Sequence, residues 1–121
     1  MTLSRLNPGP RMSQAVIIGN IAFLAGQVPD DLTADIETQT QQVLAHLDKV
    51  VADLGATKSD IASVQIWLAN MADFQGMNAV WDAWVSADSP PARATGGTSL
   101  ARPGMRVEMI AVVALPEAAA A

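Results

Sequence analysis

Arg93 sits in the nearly uncharged stretch Ser89-Pro90-Pro91-Ala92-Arg93-Ala94-Thr95-Gly96-Gly97-Thr98-Ser99, and Glu108 interrupts the apolar run Val107-Glu108-Met109-Ile110-Ala111-Val112-Val113-Ala114. A guanidinium and a carboxylate in such surroundings each need a partner, because an unpaired charge taken out of water is costly. Small neighbours leave room beside Arg93. Its planar fork donates two parallel hydrogen bonds to a carboxylate, which makes a small 2-oxo, 2-imino or amino acid its natural ligand. By strand alternation Glu108 shares a face with Ile110 and Val112, opposite Val107, Met109 and Ala111, and is expected to be partly buried. Burial raises a carboxyl pKa and a nearby arginine lowers it, so Glu108 can act as a base, orient a water or pair with arginine. The residues alone leave two alternatives for Arg93 open: a ligand clamp, or a salt bridge to Glu108 or a helix carboxylate.

The other candidates carry less. His46 is the only histidine and falls at the edge of a helical apolar stripe, a boundary position rather than a catalytic one. Asn78 falls on an apolar helix face and needs a buried partner, more often backbone than substrate. The Met and Trp residues of that helix read as packing. Arg5, Arg11, Arg102 and Arg106 read as solvated or interfacial. No His/Asp/Glu set has metal-ligand spacing, and Gly96-Gly97 matches no phosphate-binding loop.

These residues must be positioned by a short list of elements. Gln14 to Ile18 and Ile21 to Ala25, separated by Gly19-Asn20, predict a β-hairpin whose turn pair suits positive φ angles. Ile36, Val43, Leu44, Leu47, Val50, Val51 and Leu54 mark a helix that starts near Asp35 and stops at Gly55. Ile61 to Leu68 alternates as a strand. Asp73 is placed to cap a second helix striped by Phe74, Met77, Trp81, Trp84 and Val85. Strands over Ala92 to Thr98 and Arg106 to Ala114 follow, joined around Arg102-Pro103-Gly104, and about 115–121 reads as a frayed tail. This order predicts a mixed sheet with both helices on one face. Its strands carry apolar or uncharged side chains on the second face too, so a symmetric homo-oligomer is expected to cover it.

Composition agrees with that expectation. A chain of 121 residues fits one domain, and with 50% hydrophobic and only 16% charged residues it has little polar surface for a small monomer. The net charge of −5 opposes binding to nucleic acid. The chain has no cysteine, which excludes disulfides, thiolate metal sites and a cysteine nucleophile. Its first residues lack the apolar core of a signal peptide and no apolar run reaches membrane-spanning length, so a soluble cytoplasmic protein without membrane association is expected.

Gly9-Pro10-Arg11-Met12-Ser13-Gln14-Ala15-Val16, Phe23-Leu24-Ala25-Gly26-Gln27-Val28, Phe74-Gln75-Gly76-Met77-Asn78, Pro91-Ala92-Arg93 and Arg106-Val107-Glu108 together resemble the ordered motifs of the YjgF/Rid family, the reactive intermediate deaminases. The resemblance spans nearly the whole chain. It implies an α+β, chorismate-mutase-like fold in a single domain over 1–121, assembled as a homotrimer around a central β-barrel with sites between subunits. It further implies hydrolysis of a 2-enamine or 2-imine acid such as 2-aminoacrylate to the 2-oxo acid and ammonia, with no cofactor and no metal. In that reading Arg93 clamps the substrate carboxylate and Glu108 positions a water, with Met12, Ala25, Gly26, Asn78 and Thr95 lining the substrate site. Many family members carry tyrosine, serine, cysteine and an acidic residue where this chain has Met12, Ala25, Thr95 and Ile110, which makes the pocket less polar. A non-catalytic, carboxylate-binding regulatory trimer is the alternative, and an endoribonuclease fits the acidic chain poorly.

Overall fold

Along the strand Val107–Ala114, every second residue from Val107 to Val113 is buried, while Glu108, Ile110 and Val112 are only partly covered. That two-residue period defines the sheet's two faces, and the neighbouring strand Ile61–Leu68 repeats it with Ile61, Val64, Ile66 and Leu68 turned to the same covered side. In a computed structural model, which describes residues 2–116, the elements run β1 (Leu3–Leu6), β2 (Ala15–Ile18), β3 (Ile21–Leu24), α1 (Ile36–Asp53), β4 (Ile61–Leu68), α2 (Phe74–Trp84), β5 (Ala92–Gly97) and β6 (Val107–Ala114). The six strands form one sheet in the order β1-β2-β3-β6-β4-β5. All pairings are antiparallel except β4 with β5, whose parallel register requires the crossover that α2 supplies.

Helix α1 begins where the Asp35 carboxylate accepts the Thr38 amide at 2.8 Å and ends at Leu54, followed by Gly55 in the left-handed region at φ 75°. Its stripe and that of α2 pack on the covered sheet face in one core, which includes Val43, Leu47, Ile66, Leu68, Met77 and Met109. Among the described residues, no helix is long and apolar enough to cross a membrane. None of the described residues covers the other sheet face. Ile21, Phe23 and Trp67 stand exposed on it, with Phe23 49% accessible.

The structure corrects the sequence reading at several points. Strand β1 was not anticipated: Leu3-Ser4-Arg5-Leu6 contains no β-branched or aromatic residue, and pairing with β2 makes it a strand. In the hairpin turn only Gly19 takes positive φ, at 60°, as in a II′ turn. Asp73 occupies the cap position of α2 without a capping hydrogen bond; its carboxylate instead accepts from Arg106 at 3.3 Å, and Asn70 caps the preceding 3-10 turn through the Ala72 amide. The tail is tied down further than expected, since the Leu115 amide donates to the Asn20 carbonyl at 2.7 Å and its side chain packs against the core. The remainder of the proposed frayed segment, 117–121, lies outside the described residues.

Candidate active site

Arg93 is brought by β5, at the edge of the sheet, where its Cα pairs with Val64 and its side chain turns to the helix side. About two turns of α2 meet it there. The guanidinium donates to Asn78 Oδ1 at 2.8 Å and lies 5.2 Å from the centroid of the Trp81 ring and 6.0 Å from that of Phe74. Asn78 thus bonds a side chain rather than the backbone partner expected for it, because its helix face looks onto the arginine. Among the described residues no carboxylate reaches Arg93, so neither salt bridge that the sequence left open is formed within the chain. Two residues further along the same face, the Thr95 hydroxyl is sealed from solvent and has no hydrogen-bond partner. A buried hydroxyl of that kind is uncommon and calls for an acceptor or donor from elsewhere.

Glu108 occupies the opposite face. Its Cα pairs with that of Trp67, which in turn pairs with Gly96, so these three share the uncovered side. The bridge Gln27–Met109 and the pair Phe23–Val112 bracket three residues on the β3 side against two on β6, a bulge, and Gly26 within it lies beside Glu108. A Cβ on Gly26 would overlap the Glu108 carboxylate, so glycine is what lets the carboxylate lie against the backbone here. Ala25 and Gly26 also line an open cleft of about 610 Å³ with Arg5, Arg11, the 67% exposed Met12 and Phe23.

The anticipated site residues therefore fall into two half-sites on opposite faces of one sheet. Arg93, Asn78 and Thr95 form one, Glu108, Gly26, Ala25 and Met12 the other. Neither half holds both Arg93 and Glu108. Sequence reasoning missed two contributors. Trp81 reads as ordinary core from its position in the α2 stripe, and only the register of β5 shows that Arg93 lies over it. Gln39, buried among the apolar residues of α1, donates to the Gly104 carbonyl at 2.9 Å and accepts the Arg106 amide at 2.8 Å, fixing the start of the strand that carries Glu108. A lone Gln in an apolar helical stripe was its one visible signal.

Burial pushes the Glu108 carboxyl above its ordinary value of 4.5 by desolvation, with no cation among the described residues near enough to offset it. The folded state then holds the proton more tightly than the unfolded state, so ionisation weakens folding as pH rises from the unfolded value through the raised one. Glu108→Gln is expected to melt at a higher temperature than the parent at pH 7, and the difference should vanish as pH falls below 4.5. Thermal melts across pH check this.

Residues 2–115 match the endoribonuclease L-PSP family. A RutC family protein of Haemophilus influenzae is 42% identical over 113 residues, 93% of this chain and 97% of its own length. The RutC family protein YoaB of Escherichia coli K12 is 40% identical over 115 residues, 95% of this chain and all of its own. The crystal structure of a YjgF family member from Neisseria meningitidis superposes with a TM-score of 0.91 at 38% identity, covering 96% of this chain and 97% of that one.

Proposed function

The chain belongs to the endoribonuclease L-PSP family, which takes in the YjgF and RutC proteins, and from that membership we propose that it hydrolyses 2-imino and 2-enamino acids to 2-oxo acids and ammonia. One observation carries the reading: a guanidinium held in place by Asn78 and Trp81, without a carboxylate partner among the described residues, next to an unpartnered Thr95 hydroxyl. A cation fixed in that way is ready for a carboxylate from outside the chain.

The substrate acid takes the fork of Arg93. A 2-enamine gains a proton at C3 and gives one up from nitrogen to become the imine, whose C2 is already electrophilic. Glu108 holds a water against C2 and takes a proton from it as the C–O bond forms. The same carboxyl returns that proton to nitrogen to give the carbinolamine, then carries the hydroxyl proton to the amino group, so that the C–N bond breaks, ammonia leaves and the carbonyl forms. Orientation and one base are all this reaction asks of the protein.

Both residues reach one substrate only if two copies of the chain contribute. The edge strand β5 of one copy presents Arg93, and the uncovered face of another presents Glu108 among Ile110, Val112, Phe23 and Trp67. Covering that apolar face is favourable in itself, roughly in proportion to the area removed from water. The reading therefore includes a homotrimer of single-domain chains, with the uncovered faces turned inward as a barrel and a site at each junction.

The direct test generates 2-aminoacrylate or 2-iminobutanoate in situ and follows its decay with and without the protein. Accelerated ammonia and 2-oxo acid release is expected, and equal rates would sink the proposal. Gly26→Ala supplies an internal check. The added methyl displaces only the end of the Glu108 side chain, so the melting temperature should barely move while turnover falls about 100-fold from misplacement of the carboxylate. A second reading, a trimer that binds small carboxylates without turning them over, draws on the apolar Ala25 and Met12 in the cleft beside Gly26 and on Ile110, which shares the sheet face of Glu108. It predicts 2-oxo acid binding dependent on Arg93 with no imine hydrolysis. Polyanionic RNA is disfavoured as substrate by the net charge of −5.

A further inference from the structure

We propose that Trp81 is a positioning residue for Arg93, its indole face holding the guanidinium in the orientation that receives the substrate carboxylate. The inference rests on the reading of Arg93 as the carboxylate clamp and goes beyond it to what sets the clamp. Trp81 is only 5% exposed, so its ring is fixed by the core rather than by solvent. The Arg93 guanidinium carbon sits 5.2 Å from the ring centroid, within the range of a cation over an aromatic face. Asn78 and Phe74 occupy the same face of α2 at helical spacing and complete a cradle, the first through a 2.8 Å hydrogen bond to one guanidinium nitrogen and the second at 6.0 Å.

The cradle is braced from behind. Trp84 packs on Trp81 with centroids 5.2 Å apart, and its Nε1 donates to both carboxylate oxygens of Asp48 on α1, at 3.0 and 3.1 Å. Lys58 closes the outer side, 4.8 Å above the Trp84 ring and donating to the Trp84 carbonyl at 2.7 Å. Arginine is a long side chain with many rotamers, and freezing it on a ligand costs binding free energy. A ring already seated under the guanidinium removes much of that cost before the ligand arrives. Only one guanidinium nitrogen is engaged by Asn78, which leaves the rest of the fork free for a second planar partner.

The test measures binding of 2-oxobutyrate by calorimetry together with KM and kcat on an imine generated in situ, using the full-length protein. Trp81→Leu is expected to raise Kd and KM about 5- to 10-fold while kcat stays within about twofold, and Trp81→Phe should recover most of the loss. Tryptophans carrying one to three fluorines, placed at position 81 by codon suppression, keep the shape of the side chain and so avoid any failure to fold. Kd should climb with each fluorine as the ring face loses negative potential. A flat fluorine series, or a folded Trp81→Leu that binds like the parent while Arg93→Ala does not, overturns the inference and leaves the clamp standing. Unchanged binding by Arg93→Ala overturns both.

Discussion

Arg93→Ala is expected to lower kcat/KM on 2-imino acids about 100- to 1000-fold, the loss of two parallel charge-assisted hydrogen bonds to the substrate carboxylate. The fold should survive, because the guanidinium is exposed in the chain and its contacts are confined to Asn78 and the rings of α2. Arg93→Lys should recover little, since an ammonium keeps the charge but has no planar fork and loses the stacking geometry over Trp81. Steady-state kinetics beside thermal melts separate the two effects. A variant that melts like the parent and hydrolyses imines at the parental rate contradicts the clamp.

A charge placed on the uncovered face should have an equally large effect by a different route. Phe23 is 49% exposed, pairs across the sheet with Val16 and Val112, and belongs to none of the intrachain core. Phe23→Asp therefore leaves the buried core of one chain intact. In an assembly that covers this face, the same carboxylate is stripped of water without a partner, a cost large enough to dissociate the copies. Sedimentation and circular dichroism should show a folded monomer, with imine hydrolysis lost because Arg93 and Glu108 no longer meet. Retention of the parental assembly by Phe23→Asp would show that the face is not the interface.

Much of this fold is legible in the chain itself. The stripe of α1, the alternation of β4 and β6 and the Gly19 turn each follow from local periodicity, and all three stand in the structure. What was missed depends on pairing. Strand β1 exists through its ladder with β2, and the cap expected of Asp73 lost its carboxylate to Arg106, a residue remote in sequence. The site shows the same division. Alternation alone sets Glu108 on the face of Ile110, and the small residues around Arg93 mark a place for a ligand. That the two lie on opposite faces follows from the registers of β4 with β5 and with β6, which no single segment encodes. The contribution of Trp81 is hidden for the same reason: it needs β5 laid beside α2.

Two half-sites on opposite faces make a claim that one mixing experiment can decide. Arg93→Ala and Glu108→Ala chains, each inactive alone, are unfolded together, refolded in equal amounts and assayed on an in situ imine. If each site takes its arginine from one copy and its carboxylate from the next, random assembly leaves about a quarter of the sites intact, and about a quarter of parental activity should return. If each site draws both residues from the same chain, every site in the mixture is broken, and activity no higher than that of the separate variants contradicts the account.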